Sequence, residues 1–243
     1  MILEVISIKW KDNRMTDFVK TDFDGFSKKT IDFLSNLREN NNKQWFDAHR
    51  TEYEEHLISP MKLLVEELAS TILSIDQYLD VRPMINKAIS RIHRDLRFSK
   101  NKSPYKTVMW IAFKHNRKDW KDTPGFFFEF CPERYRYGMG LYEASRQTMD
   151  AFRELLDSKP DAFLKAVSSL EKYGFKLHGE KYKRIIDPSK TGVLLDWYQR
   201  KNFYVVCSKS MNRDFFSPEL AGVLSGAFMS LKPLYDFLWK AKG

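Results

Sequence analysis

The chain has 243 residues and a formal net charge of +9, from 41 basic and 32 acidic side chains. A hydrophobic content of 43% and a charged content of 30% exclude an intrinsically disordered chain and allow a substantial core. No apolar run approaches the roughly 18 to 20 residues that a membrane span needs, so the sequence predicts no membrane insertion.

The first 22 residues are expected to lie outside the folded domain. They form an N-terminal extension that is either disordered or the product of an upstream start codon, with Met15 as the alternative start. The apolar opening is interrupted by Glu4 and lacks the marks of a signal peptide. Residues 23–243 are predicted to form a single domain.

Three helices are predicted in the first third of the chain. The first begins at the capping residue Ser27, and the second occupies NKQWFDAHRTEYEEHLI. The third lies in SPMKLLVEELASTILSI, where Ser59 is the expected cap and Pro60 a first-turn residue. Candidate core residues of the first two helices are Ile31, Leu34, Leu37, Trp45, Phe46 and Tyr53.

Strands are predicted in the middle of the chain. YKTVMWIAFKH is apolar on both faces, which is typical of a central strand. GFFFEFCPERYRYGMGLY reads as a hairpin folded around Pro132 and Glu133, and NFYVVCSK as a further strand. If Cys131 lies opposite Arg134, the hairpin pairs Phe130 with Tyr135, Phe128 with Tyr137, and Glu129 with Arg136.

Helices resume after the hairpin, in SRQTMDAFRELLDS, PDAFLKAVSSLEKYG, VLLDWYQRK and the long C-terminal segment 217–242. Gly174 is expected to end the second of these, and Pro233 to kink the last. Helices at both ends and strands between them predict an α+β fold: one domain with an antiparallel sheet packed against helices from both termini.

Most familiar signatures of catalysis and cofactor binding do not occur in the sequence. It contains no glycine-rich phosphate loop, no H-E-x-x-H, no C-x-x-C and no G-x-S-x-G. The five histidines are scattered without metal spacing, so neither a metal site nor a cofactor is predicted. Cys131 and Cys207 are too few for a disulfide framework, which favours the cytoplasm.

The stretch SRIHRDLRFSKNKSPYKT is the strongest candidate for a functional site, because it holds six cations and only one acid, Asp95. Three of the cations, Arg91, Arg94 and Arg97, would share one side of a helical turn, where their guanidinium groups match phosphate or carboxylate oxygens. Asp95 would brace one of them, and Tyr105 would add a hydroxyl. The predicted ligand-binding residues are Arg91, Arg94, Arg97, Phe98, Lys102, Lys106, Trp45 and Asn42.

Two structural explanations compete with a binding pocket. The charge run could be a solvated basic face, or a cluster of salt bridges that ties this segment to Glu129 or to other acids. The interleaved Phe98, Pro104 and Tyr105 favour a pocket, since a solvated run has little use for rings.

Residues 91 to 105 also carry a resemblance to a known family. RIHRDLRF followed by NKSPY resembles the signature of a bacterial family of uncharacterised proteins, domain of unknown function 2461. NNKQWFDAHRTEY is similar to a helix of that family, and KYKRIIDPSKTGVLLDWYQRKNF to its C-terminal segment. The resemblance implies a functional unit, without implying a reaction, made of Arg91, Arg94, Asp95, Arg97, Phe98, Lys102 and Tyr105, with Asn41, Asn42, Trp45 and Phe46 as the matching N-terminal positions.

Three functions remain open at this stage. The first is binding of a phosphate-bearing ligand, a nucleotide or nucleic acid, aided by a second basic patch at Lys181, Lys183 and Arg184. The second is a hydrolase or transferase acting on an anionic substrate, with Asp95 as base or metal ligand and Tyr105 or His93 as proton donor. The third is a protein-interaction module that docks a partner through an aromatic surface or the C-terminal helix.

Overall fold

The computed structural model of the protein describes residues 23–97, 100 and 102–242, so the predicted extension over residues 1–22 lies outside it. The strands are β1 (Met109–Phe113), β2 (Pro124–Cys131), β3 (Arg134–Leu141), β4 (Lys176–His178) and β5 (Tyr204–Ser210). The helices are α1 (Lys28–Glu39), α2 (Lys43–Ala48), α3 (Arg50–Tyr53), α4 (Ser59–Ile75), α5 (Arg146–Ser158), α6 (Pro160–Val167), α7 (Gly192–Tyr198) and α8 (Glu219–Lys242). The strands form one antiparallel sheet in the order β1-β2-β3-β5-β4, which confirms the predicted α+β class.

The hairpin of β2 and β3 has the predicted register. Phe130 lies opposite Tyr135 and Phe128 opposite Tyr137, and all four rings are buried. The pleat sends alternate residues to opposite faces, so Glu129 and Arg136 pair on the other face, where their charged atoms approach to 2.5 Å.

The prediction that YKTVMWIAFKH is a central strand is wrong, because β1 lies at one end of the sheet order. Its outer edge is nevertheless covered by the chain around residue 89. The Ser90 N–H donates to Trp110 O at 2.9 Å, and the Ala112 N–H donates to Ala88 O at 2.8 Å. These contacts satisfy edge groups that would otherwise face solvent.

The helical backbone continues through Ser59, so the prediction of a cap at this residue is wrong. A π-helical turn over Glu54–Ile58 leads directly into α4, and Ser59 itself has helical dihedral angles. Pro60 has no N–H to offer the carbonyl of His56, four residues earlier. The buried hydroxyl of Thr30 in α1 donates to that carbonyl instead, at 2.6 Å. A side chain from another helix therefore satisfies the group that the proline leaves open.

The second half of the chain differs from its prediction at the end of one helix. Helix α6 ends at Val167 rather than at Gly174, which has a left-handed φ of 76° in the turn that leads to the short strand β4. Helix α8 continues through Pro233 to the end of the described chain, and it packs on α4 and on the sheet. None of the described helices combines the length and apolar character that crossing a membrane requires.

Candidate functional site

The backbone of the basic segment is extended, which makes the predicted helical turn wrong. His93 and Tyr105 form an antiparallel bridge, flanked by bonds from Arg94 N to Pro104 O and from Lys106 N to Ile92 O, both 2.8 Å long. Because side chains alternate along an extended chain, Arg94 and Lys106 share one face of this ribbon, and His93 and Tyr105 share the other.

Asn41, in the link between α1 and α2, holds the free edge of this ribbon. Its Nδ2 donates to Tyr105 O at 3.1 Å, and its Oδ1 accepts from Tyr105 N at 3.0 Å. The side-chain amide thus takes the place that a neighbouring strand would occupy. The resemblance had drawn attention to Asn41, but nothing in the residue pattern indicated this contact across 64 positions of sequence.

The Tyr105 ring is buried on the side away from the cations. It is 4% exposed, stacks on Phe46 at a centroid distance of 4.3 Å and lies 5.2 Å from the His93 ring. Burial, with a further contribution from the Asp47 carboxylate, raises the pKa of Tyr105 above its ordinary value. The structure therefore does not bring Tyr105 into the predicted pocket with the arginines, and this ring is not accessible for stacking on a base.

What we call the cation face consists of Arg94 and Lys106, which share one face of the ribbon, and of Arg91, whose carbonyl and positive charge lie close to Lys106. Lys106 Nζ donates to Arg91 O at 2.9 Å and lies 4.2 Å from the centre of the Trp110 ring. Burial and the positive charges of Arg91 and Arg94 lower the pKa of Lys106 below its ordinary value. Among the described residues, no acid forms an ion pair with any of the three.

The Arg94 guanidinium is the least satisfied of these cations. Its Nη2 donates to Tyr105 O at 3.4 Å, a long bond, while its Nε is buried without a hydrogen-bond partner. A buried donor left in this state costs about 1 to 3 kcal/mol. The cation face therefore carries both uncompensated charge and unused hydrogen-bonding capacity.

Asp95 is committed to Arg97. Its two carboxylate oxygens accept from Arg97 Nε at 3.0 Å and Nη2 at 2.7 Å, and Oδ1 also accepts from the Arg97 N–H at 3.1 Å. These bonds from Arg97 hold the pKa of Asp95 far below its ordinary value. Because Arg97 occupies both oxygens of Asp95, the geometry favours the bracing role over the catalytic one.

The remaining predicted site residues that the structure describes, Lys102, Asn42 and Trp45, make contacts within the fold. Lys102 Nζ donates to Leu96 O at 3.1 Å, and Phe98 falls outside the described residues. Asn42 caps α2 by accepting the Trp45 N–H at 3.0 Å, and the half-buried Trp45 stacks on His49 at 4.0 Å. Asn42 and Trp45 thus support the helix that carries Phe46, the ring under Tyr105.

The alternative in which salt bridges tie the basic segment to Glu129 is wrong, because Glu129 is paired with Arg136. The second basic patch is partly neutralised, because Lys181 forms an ion pair with Asp196. Within the described ranges, no group of three or more His, Cys, Asp and Glu side chains is placed to hold a metal ion.

Comparison with known families places the chain in one of them. A family model described as "Conserved hypothetical protein (DUF2461)" matches residues 29–237. The chain belongs to the DUF2461 family. The matched region of this DUF2461 protein runs from α1 into α8, and it includes the sheet, the ribbon and Asn41. No functionally curated protein matches the chain. The enzyme and protein-interaction hypotheses remain predictions.

Proposed function

We propose that the cation face binds a phosphate-bearing ligand, a nucleotide or nucleic acid, through Arg91, Arg94 and Lys106. The observation that carries the proposal is the clustering of these three cations without an ion pair among the described residues, close enough for the arginines to lower the pKa of Lys106. A bound phosphate would offset their mutual repulsion and offer acceptors to guanidinium groups, which suit phosphate oxygens in a two-pronged geometry.

Recognition through phosphates alone distinguishes this proposal from binding by base stacking. The rings next to the cation face are already engaged: Tyr105 is buried against Phe46, and Trp110 lies under Lys106. Phosphate contacts position a nucleic acid without reading its sequence. We therefore expect affinity to depend on the number of phosphates and on salt, and to depend little on the bases.

The test compares labelled single-stranded oligonucleotides of different sequence by fluorescence anisotropy over a range of salt concentrations, with ATP and inorganic phosphate in parallel thermal-shift measurements. Three phosphate contacts predict a slope of log K against log salt of about −2, since each contact to a single strand contributes roughly 0.7. Arg91→Gln should reduce the slope by about 0.7. Arg146→Gln makes the same charge change on α5, where the side chain is 90% exposed, and should leave the slope unchanged.

Two results count against the proposal. One is the absence of salt-dependent binding to any of these ligands at low ionic strength. The other is an equal loss in Arg91→Gln and Arg146→Gln, which would show that only net charge matters. Binding of ATP or phosphate without oligonucleotide binding would restrict the ligand to small phosphates.

A change at Asp95 separates binding from catalysis. Asp95→Asn removes the brace of Arg97 and the negative charge beside the cation face, so we expect oligonucleotide affinity at low salt to rise roughly two- to fivefold. If Asp95 were instead a base or a metal ligand of an enzyme, Asp95→Asn would abolish catalysis and would not raise the affinity. Unchanged or weaker binding in Asp95→Asn would contradict the assignment of Asp95 as a brace.

A further inference from the structure

A carboxylate, an imidazole and a phenol meet where the end of α4, the end of β1 and α8 come together. Asp76 Oδ2 accepts from His115 Nε2 at 2.8 Å and from the Tyr235 hydroxyl at 2.7 Å, and Oδ1 accepts from the Tyr78 N–H at 2.8 Å. Burial favours the neutral acid, but the hydrogen bonds outweigh it and hold the pKa of Asp76 below its ordinary value. Asp76 is therefore an ionised carboxylate with both oxygens occupied.

This carboxylate determines the state of His115. Burial raises the pKa of Tyr235 well above its ordinary value, so the phenol stays protonated and donates to Asp76. An ionised carboxylate only accepts, so Nε2 of His115 must carry a proton. A neutral imidazole then holds its lone pair on Nδ1. No described group forms a hydrogen bond with Nδ1, although the residue is only 8% exposed.

The remaining surface of His115 opens into a cavity of about 590 Å³. Its lining consists of Asp76, Tyr78, His115, Asn116, Arg117 and Trp239. The Trp239 ring stacks on His115 at 4.6 Å, and the Tyr78 ring lies 6.0 Å from His115 on the open side. Cavities of roughly 300 to 1,000 Å³ with aromatic walls and a few polar groups are typical of small-molecule sites.

The charges around this cavity differ from those of the cation face. Arg117 donates to both carboxylate oxygens of Asp119, at 2.8 and 3.1 Å, and Asp76 is engaged as described. With a neutral imidazole, the one hydrogen-bonding position left open at His115 is an acceptor. The site therefore suits a neutral ligand that donates a hydrogen bond.

We propose that this cavity is a second ligand site, which takes a small, neutral, planar aromatic molecule whose O–H or N–H donates to His115 Nδ1, with Tyr78 and Trp239 as its walls. The inference rests on residues outside the basic segment and is independent of the proposed function.

The probes are phenol and anisole, which differ in the hydroxyl donor. Nitrogen-detected NMR of the full chain first establishes the tautomer, which should be Nε2–H with an unprotonated Nδ1. Phenol should then shift the His115 Nδ1 and Trp239 resonances in a saturable way, and anisole should bind roughly fivefold more weakly, the effect of one hydrogen bond.

Two exposed tyrosines supply the variants. Tyr78 and Tyr142 are 69% and 71% exposed, so replacing either with alanine should leave the fold intact. Tyr78→Ala should weaken phenol binding roughly three- to tenfold, the effect of one aromatic contact, while Tyr142→Ala should bind like the unaltered protein. A proton on Nδ1 in the free protein, equal affinity for the two probes, no binding of either, or equal effects of the two variants would overturn the proposal.

Discussion

Replacing Asn41 with alanine removes both hydrogen bonds along the free edge of Tyr105. The Tyr105 N–H loses its acceptor at 3.0 Å, and the Tyr105 carbonyl keeps only the long bond from Arg94. A stranded donor costs about 1 to 3 kcal/mol, and a lost bond to a group that keeps another partner about 0.5 to 1.5 kcal/mol. The expected loss of unfolding free energy is therefore about 2 to 4 kcal/mol.

Urea unfolding measures this loss, and the adjacent Asn42→Ala supplies the control. Asn42 accepts one N–H at the start of α2, and losing such a cap costs about 1 kcal/mol. The unfolding free energy of Asn41→Asp should lie between those of Asn41→Ala and the unaltered chain, because aspartate keeps an acceptor for Tyr105 N and loses the donor to Tyr105 O. At about 2 to 4 °C per kcal/mol for a chain of this size, Asn41→Ala should melt roughly 5 to 15 °C lower.

The refuting result is an Asn41→Ala variant that loses no more stability than Asn42→Ala. That outcome would mean that water replaces the amide without cost, and that the ribbon keeps its shape without the clamp. Tyr105 would then not be held in place by Asn41, and the separation of the ribbon into a buried face and a cation face would lose its support.

Two further predictions concern residues outside the candidate site. Thr30→Val should cost about 1 to 3 kcal/mol of unfolding free energy, measured in urea, because it strands the His56 carbonyl that Pro60 cannot bond. The control Thr71→Val should cost less, because the half-exposed Thr71 hydroxyl bonds only the Ser225 hydroxyl. Equal losses in the two variants would contradict this account. For Asp76, the folded pKa lies below the unfolded value of about 3.9, so its stabilisation is present above that pH and fades as pH falls further. The stability difference between the unaltered protein and Asp76→Asn, followed by urea unfolding from pH 5 downwards, should thus shrink below about pH 4, and a constant difference would exclude this linkage.

Local signals explain why much of the sheet could be predicted. Pro132 and Glu133 mark the turn, and the alternation on either side of it leaves one register that buries Phe128, Phe130, Tyr135 and Tyr137 together. The same kind of signal misled at β1. Apolar residues on both faces indicate that the faces are packed, and they do not show what lies along the edge of the strand. That edge is covered by the irregular chain around Ser90.

The basic segment shows the limit of spacing arguments. A spacing of three places Arg91, Arg94 and Arg97 together only if the backbone is helical, and the sequence has no strong signal for either state there. The bridge between His93 and Tyr105 decides for an extended ribbon. That choice turns Tyr105 inward and leaves Arg94 and Lys106 on the cation face.

By itself, the sequence determined the fold class, the hairpin register and the concentration of positive charge between residues 91 and 106, because each depends on residue type and short-range periodicity. Only the tertiary structure decided which cations meet, that Asn41 clamps Tyr105, and that Asp76, His115 and Tyr235 share one cluster. The contacts of Asn41 and of the Asp76 cluster join residues 39 to 159 positions apart, whose side chains show no shared pattern along the chain. Their meeting depends on how the helices pack on the sheet.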